Sequence, residues 1–173
     1  MHHLTTHPQN VFEFWGGWER GSAAQEESLC RRSSLICSLS DPWNFAQPVE
    51  YPIPTIGAIY SPDVVVFRKS QDEGFAFLPS PFYVNAISIA CSTSPPIKHA
   101  GDGTLRIANR SVVNRLRQKI MLVLQIAATK KITHLILGAW GCGVFGNPPD
   151  HIARLFAEVN TFHVWSYSYK LLE

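Results

Sequence analysis

At residues 16–30 the sequence reads GGWERGSAAQEESLC, a glycine-rich turn followed by a segment that favours helix. Glycine lets the backbone approach a ligand closely, because it has no side chain and adopts positive φ at little cost. The adjacent carboxylates of Glu26 and Glu27 follow this turn, and their position suggests acid–base chemistry on whatever the turn holds. The alternative is a simple loop before a helix whose acidic first turn is favoured by the helix dipole.

Two further segments carry specific patterns. Residues 60–68 read YSPDVVVFR, and residues 137–148 read LGAWGCGVFGNP, with a predicted strand before this second glycine-rich segment and a predicted helix after it. In α/β folds such a loop faces the crevice in which ligands bind, and its backbone amides can hold a diphosphate without any lysine. The alternative is a tight turn whose glycines serve packing alone.

Taken in this order, the three segments resemble the motifs of the microbial-type poly(ADP-ribose) glycohydrolase family. The family signature is a Gly-Gly-Gly turn that precedes Gln-Glu-Glu by six to eight residues, and here seven residues separate Gly17 from Gln25. The resemblance covers about residues 16–160. It implies an α/β fold of the macrodomain type, in which three layers, α/β/α, surround a mixed central sheet. It also implies a single domain over residues 1–173 that binds ADP-ribose.

The activity implied by the resemblance is hydrolysis of the ribose–ribose bond in poly(ADP-ribose), which releases ADP-ribose and needs no metal or organic cofactor. Glu27 would be the general acid that protonates the departing ribose hydroxyl and then activates water, while Glu26 would hold ribose hydroxyls. Adjacent helical residues point about 100° apart, so these two carboxylates cannot flank one bond as an ordinary glycosidase pair does. In the second motif the loop would grip the diphosphate, with Phe145 against the distal ribose. The implied substrate-binding residues are Gly16, Gly17, Gln25, Gly141, Cys142, Gly143, Val144, Phe145 and Asn147.

The N-terminal part of the chain departs from the family pattern. Trp15 stands where the family has the first glycine of its turn, and an indole there would crowd the approach to the ribose. Residues 7–14 do not match the strand and asparagine that precede the turn in the family, so the fold is expected to be truncated at this end. These departures favour an alternative function, an ADP-ribose-binding macrodomain with impaired catalysis, and a remnant without any ligand is a third possibility.

A different enzyme class is also open. Cys142 lies in a sharp turn and His151 follows nine residues later, so a cysteine hydrolase is conceivable, although no family motif surrounds either residue. Several basic residues form a candidate contact surface for a polyanion, with a solvated helix face as the alternative. They are Arg106, Arg110, Arg115, Arg117, Lys119, Lys130 and Lys131.

Composition narrows the remaining classes. The chain has 173 residues, of which 46% are hydrophobic and 16% are charged, and its formal net charge is +2. This charge gives no support for direct nucleic-acid binding, and no apolar run is long enough to span a membrane. The four cysteines are widely spaced and are expected to be free thiols in a cytosolic or nuclear protein. The chain is expected to be a monomer whose partners are ADP-ribose and poly(ADP-ribose) on modified proteins.

Hydrophobic periodicity and turn residues predict the regular elements. The expected helices cover residues 22–38, 109–129 and 149–159, and the expected strands cover residues 58–60, 64–67, 84–91, 135–137 and, at the C-terminal end, 162–166. A turn at 61–63, a polar loop at 71–74 and a proline-rich loop at 41–54 would connect them, with an irregular stretch at 92–103. The buried face of the second helix is predicted to consist of Val113, Leu116, Ile120, Val123, Leu124 and Ala127, with Lys119 on its flank.

Overall fold

A computed structural model describes residues 17–19, 21–22, 24–40, 53–163 and 170–172. The described residues fall into two compact units, one within Asn10–Ile89 and the other within Ala90–Glu173. The predictions for Trp15, for the segment before it and for most of the proline-rich loop lie outside the described residues. The helices are α1 (Gln25–Arg32), α2 (Leu35–Ser40), α3 (Arg110–Thr129) and α4 (Pro149–His163). The strands are β1 (Ile59–Arg68), β2 (Phe77–Ser88), β3 (Ile97–His99), β4 (Leu105–Ile107), β5 (His134–Ile136) and β6 (Lys170–Leu172).

In the first unit, the single helix predicted over residues 22–38 is wrong, because the chain forms α1 and α2 with a break at Ser33. Ser33 has extended backbone angles and makes an isolated antiparallel bridge to Val66. The next residue, Ser34, donates its N–H to the carbonyl of Val65 at 3.0 Å, and its hydroxyl accepts the Val65 N–H at 3.0 Å. The two serines therefore leave the helix to bond with β1, which places α1 and α2 against that strand.

Strands β1 and β2 form an antiparallel ribbon in the same unit. The predicted turn at 61–63 is wrong, because β1 is continuous there and contains a bulge between Ser61 and Val64. Asp63 lies in this bulge with φ of 51°, and its N–H donates to the side-chain oxygen of Asn85 on β2 at 3.1 Å. The partner strand thus supplies the bond that holds the bulge. Behind β1, the buried side chains of Cys30, Leu35, Leu39 and Val64 form a small core.

Strand β2 differs from the prediction in both length and burial. It begins at Phe77, ends at Ser88 before the predicted limit at residue 91, and leaves Phe82 and Tyr83 exposed. Within the part of the chain that the structure covers, β2 pairs only with β1, so its other edge carries no strand. The predicted polar loop at 71–74 is a short 3₁₀ turn, Gln71–Glu73, that ends at Gly74.

The second unit is organised around α3, which confirms the helix predicted over residues 109–129. Asn109 caps its N-terminus by accepting the Ser111 N–H at 2.9 Å, as short polar side chains do at this position. The predicted apolar face is buried, and four of its residues pack in one core with residues of α4. These four are Val113, Leu116, Ile120 and Leu124. The main core of this unit consists of Cys91, Ile107, Val112, Val113, Leu116, Ile120, Leu124, Ile152, Leu155 and Val159.

The short strands of the second unit pair in both directions. Strands β3 and β4 form an antiparallel hairpin within the stretch predicted to be irregular, and β5 pairs with β6 in parallel. Strand β5 begins one residue before the predicted strand, and α4 begins at the predicted residue but continues to His163. Phe162 and His163 therefore belong to a helix, which corrects the strand predicted from residue 162, while residues 164–166 lie outside the described part of the chain. From β4 onward, helices alternate with strands, as in an α/β protein.

Candidate functional site

In the first predicted motif, the described residues 17–19 and 21–22 form a glycine turn shortly before α1. Gly17 is buried, and its carbonyl accepts the N–H of Ser22 at 2.9 Å, which closes the turn. Gly21 has φ of 88°, a conformation that other residues adopt only with strain. Gly16 lies outside the described residues. The backbone of the turn is therefore closed and fixed by its own bonds on the side that leads into the helix.

Arg31, in the last turn of α1, ties the helix to this turn. One guanidinium nitrogen donates to the carbonyl of Trp18 at 2.6 Å, and another donates to the carbonyl of Ser22. The guanidinium also lies over the ring of Phe75, 5.9 Å from its centroid. Sequence reasoning missed this residue, although its position four residues after Glu27 places both side chains on one face of the helix. Arg31 thus links α1 to the carbonyls of the glycine turn that precedes it.

Glu27 is half-buried in the first turn of α1, beside Glu26. Its Oε2 atom is buried and has no hydrogen-bond partner among the described residues. A buried polar atom without a partner costs about 1–3 kcal/mol, so native structures rarely keep one without a functional reason. The N-cap residue, Ala24, contributes no side-chain hydrogen bond to the helix start. The carboxylate therefore lies partly buried at the start of α1, with one oxygen that the described residues leave without a hydrogen bond.

The pKa of the buried Cys30 thiol is affected by the charged side chains of this helix. Burial, together with the negative charges of Glu26 and Glu27, raises the pKa of Cys30 to about 12. Both carboxylates therefore act on the same small volume at the start of α1. A thiol with so high a pKa is not a nucleophile at neutral pH, so the chemistry available here is that of the carboxylates.

The second predicted motif forms a glycine loop (residues 138–147) between β5 and α4. Three bonds of the loop close successive turns: Cys142 N–H to the Ala139 carbonyl at 2.8 Å, Gly146 N–H to that of Gly143 at 2.9 Å, and Asn147 N–H to that of Gly141 at 3.0 Å. The N–H groups of Gly141, Gly143 and Val144 make no hydrogen bond with the described part of the chain. Unpaired amides next to a helix N-terminus are a recognised arrangement for binding phosphate groups.

Gly141 is the tightest point of the loop. It has φ of 70°, and a Cβ atom there would lie 2.5 Å from Nδ2 of Asn147 and 2.6 Å from Sγ of Cys91. Glycine is therefore required by conformation and by space. The loop is pressed against neighbouring atoms on this side, while Val144 is 92% exposed on the other.

Asn147, predicted to bind substrate, braces this loop from the inside. It is 1% exposed, and its Nδ2 atom donates to the carbonyl of Ser92 at 2.7 Å and to that of Gly141 at 3.0 Å. Its Oδ1 atom is buried and without a partner among the described residues. The side-chain nitrogen is thus committed to the loop itself. Phe145 is half-buried against the core of the second unit, and its carbonyl accepts the N–H of Ser94 at 2.7 Å.

The geometry disfavours the cysteine hydrolase. Burial raises the pKa of Cys142, whose thiol faces the carbonyl of Trp140 at 3.7 Å, whereas a nucleophilic thiol needs a lowered pKa. His151 accepts the N–H of Ile107 through Nδ1 at 2.9 Å, and burial and the charge of Arg106 lower its pKa. Cys142 therefore lacks an activated thiolate, and His151 serves the structure of the β4–α4 contact.

The candidate polyanion surface is reduced by internal pairing. Arg106 pairs with Asp102 at 2.7 Å, and Arg117 pairs with Glu158 at 2.7 Å. Lys119, predicted on the flank of α3, is instead buried among the core residues, which corrects that prediction. Within residues 17–40 and 53–163, as far as they are described, no group of three or more His, Cys, Asp or Glu side chains is placed to hold a metal ion. None of the described helices is both long enough and apolar enough to cross a membrane.

Comparison with known proteins finds a family model and several solved structures that are similar to this chain. Residues 14–69 match the family model described as microbial-type PARG, catalytic domain, where PARG is poly(ADP-ribose) glycohydrolase. The chain is similar to the crystal structure of poly(ADP-ribose) glycohydrolase from Thermomonospora curvata, with 34% identity and a TM-score of 0.62, over 87% of this chain and 51% of that one. It is also similar to the Deinococcus radiodurans enzyme in complex with ADP-ribose, with 30% identity and a TM-score of 0.62, over 96% of this chain and 73% of that one.

A third similar structure is the Thermomonospora curvata enzyme bound to the inhibitor ADP-HPD, with 34% identity and a TM-score of 0.62, over 87% of this chain and 52% of that one. The chain thus spans about half the length of the Thermomonospora curvata chains it matches. Among curated proteins, none matches it. These likenesses confirm the predicted family resemblance and the predicted α/β fold of the macrodomain type. The single-domain organisation and the assignment of individual site residues stay predictions.

Proposed function

Because the chain belongs to the family of microbial-type poly(ADP-ribose) glycohydrolases, we propose that it hydrolyses the ribose–ribose bond of poly(ADP-ribose) and releases ADP-ribose. One observation carries the proposal: Oε2 of Glu27 is buried without a partner among the described residues, at the start of a helix that Arg31 ties to a glycine turn. An acid whose oxygen lacks a partner would gain a hydrogen bond from a substrate hydroxyl that reaches it. The proposed partners are ADP-ribose and proteins that carry poly(ADP-ribose), and the cytosolic or nuclear location stays a prediction.

In the proposed reaction, Glu27 donates a proton to the departing ribose oxygen as the glycosidic bond breaks through an oxocarbenium-like transition state. The resulting carboxylate then takes a proton from the water that attacks the anomeric carbon, which regenerates the acid. Glu26 would hold the ribose hydroxyls, with Gln25 supporting the pair. Neither step uses a metal or an organic cofactor.

The proposed role of the glycine loop is to hold the substrate diphosphate. The N–H groups of Gly141, Gly143 and Val144, which have no partner among the described residues, support this assignment, because they supply donors where the α4 dipole also favours negative charge. Hydrogen bonds from backbone amides to a charged oxygen are stronger than neutral ones.

The test is release of free ADP-ribose from auto-modified, poly(ADP-ribosyl)ated protein by the wild type and by Glu27→Gln. Loss of general acid–base catalysis is expected to lower kcat about 10²–10⁴-fold, while the ADP-ribose affinity changes little. Glu73→Gln is the matched control, because Glu73 is exposed and its carboxylate makes only surface contacts, an ion pair with Lys69 and a hydrogen bond from Ser70, among the described residues. Glu27→Gln with wild-type turnover would refute the role of Glu27.

The runner-up proposal is an ADP-ribose-binding macrodomain with impaired catalysis. The observation that favours it is Trp15, which occupies the position of the first family glycine. Under this proposal the wild type binds ADP-ribose, measured by isothermal titration calorimetry, but releases none from the polymer. Folded wild-type protein that neither binds nor releases ADP-ribose would contradict both proposals.

A further inference from the structure

Lys119 is a buried cation in the middle of an apolar helix face. Its side chain is 5% exposed, and it lies on α3 among the core residues Leu116, Ile120 and Val123. No carboxylate pairs with it within the described residues. Burying an ammonium group without a counter-ion is costly, so a lysine at this position requires a specific partner.

The partner is the backbone carbonyl of Ala90, which accepts a hydrogen bond from Nζ of Lys119 at 2.5 Å. Residues 90–94, here called the support segment, follow the end of β2 and belong to no strand. They therefore lack the ladder of backbone hydrogen bonds that fixes a strand. The position of this segment depends on individual contacts, and the bond from Lys119 is one of them.

The glycine loop rests on the support segment at three points. Sγ of Cys91 lies 2.6 Å from the position that a Cβ on Gly141 would take, and it donates weakly to the carbonyl of Trp140 at 3.7 Å. The carbonyl of Ser92 accepts from Asn147, and the N–H of Ser94 donates to the carbonyl of Phe145. A shift of the support segment would therefore move both ends of the loop that presents the unpaired amides.

We propose that Lys119 is a positioning residue for the diphosphate-binding loop: its bond to Ala90 fixes the support segment, which sets the conformation of residues 138–147. A methionine at this position would fill the same volume and suit the core, but it would leave the Ala90 carbonyl without its donor. The effect of Lys119 on substrate binding rests on the proposed function, whereas the effect of Lys119 on the loop conformation does not.

The experiment compares Lys119→Met with Lys119→Arg and with the control Lys98→Met, which removes an exposed lysine from β3. Three quantities are measured: hydrogen–deuterium exchange of residues 138–147 without ligand, the Kd for ADP-ribose, and kcat and KM on poly(ADP-ribosyl)ated protein. We expect faster exchange of the loop in Lys119→Met, a Kd and KM raised about tenfold, which corresponds to about 1.4 kcal/mol, and a kcat changed less than threefold. Lys119→Arg should recover part of the affinity, and Lys98→Met should match the wild type.

If Lys119 served stability alone, Lys119→Met would have a lower free energy of unfolding, but the loop exchange and the Kd of the folded variant would equal those of the wild type. That result would overturn the proposal. If Lys119→Met does not fold, the same two readouts on Lys119→Gln decide, since glutamine is too short to keep the bond at its present length. If the wild type binds no ADP-ribose, the proposed function fails, and the exchange of residues 138–147 alone tests the role of Lys119.

Discussion

Replacing Gly141 by alanine tests the glycine loop most directly, because two independent costs meet at this position. A non-glycine residue at φ of 70° is strained by about 1–2 kcal/mol. The new Cβ would lie 2.5 Å from Nδ2 of Asn147 and 2.6 Å from Sγ of Cys91, so at least one of these groups must move. Overpacking of this kind costs about 1–3 kcal/mol.

Together these costs amount to about 2–5 kcal/mol, a large part of the 5–15 kcal/mol by which domains are typically stable. The displacement of Asn147 also endangers its hydrogen bonds to Ser92 and Gly141, which brace the loop. We therefore expect Gly141→Ala to lower the free energy of unfolding by about 2–5 kcal/mol and to abolish measurable ADP-ribose binding. Urea denaturation followed by fluorescence gives the first quantity, and isothermal titration calorimetry gives the second.

Gly143→Ala is the matched control in the same loop. Apart from its two chain neighbours, no described residue has an atom within 4 Å of the position that the new methyl group would occupy, and the φ of Gly143 is not in the left-handed region. This substitution should change stability by no more than about 1 kcal/mol, since alanine also reduces the entropy of the unfolded chain. Equal effects of Gly141→Ala and Gly143→Ala on unfolding would refute the steric reasoning.

Two further substitutions test contacts outside the loop. Arg31→Gln removes the guanidinium bonds to the carbonyls of Trp18 and Ser22, so we expect kcat/KM for ADP-ribose release to fall about tenfold, or about 1.4 kcal/mol. The control Arg154→Gln loses one exposed ion pair at 3.3 Å and should leave kcat/KM unchanged. Equal rates for the two variants would contradict the role of Arg31. His151→Ala leaves the Ile107 N–H unpaired and should cost about 1–3 kcal/mol of unfolding free energy at pH 7.5. Burial lowers the folded-state pKa of His151 below its ordinary value of 6.5, so this contribution is full above that pH and is lost as pH falls through the lowered pKa. Urea denaturation at pH 7.5 and pH 5 should therefore show a smaller gap between wild type and variant at pH 5, and a wider gap there would contradict the assignment.

Elements governed by local pattern were predictable from the sequence. The helix over residues 109–129 has a clear 3.6-residue apolar period and an asparagine at its start, and both features act through neighbours in the chain. The glycine loop was likewise predictable, because the alternation of strand, glycines and helix is local. The positive φ of Gly141, and the amides that have no partner among the described residues, are consistent with a glycine-rich loop.

The features that could not be predicted depend on partners distant in sequence. Ser33 and Ser34 end α1 because they bond to Val65 and Val66 on β1, more than thirty residues away. The bulge at Asp63 needs Asn85, and the burial of Lys119 needs the carbonyl of Ala90. In each case a polar group satisfied by tertiary contact overrides the local preference of its segment.

The unpaired oxygen of Glu27 also bears on how far this protein can be stabilised by mutation. An enzyme whose catalytic acid is fully hydrogen-bonded in the unliganded protein would be more stable, but it would have to break those hydrogen bonds before each turnover. Here the oxygen left unsatisfied by the described residues keeps the unliganded fold below its attainable stability, and a ligand hydroxyl would return that energy on binding. Screening variants for thermal resistance alone would therefore tend to select replacements at this position, which under the proposed function would remove the acid.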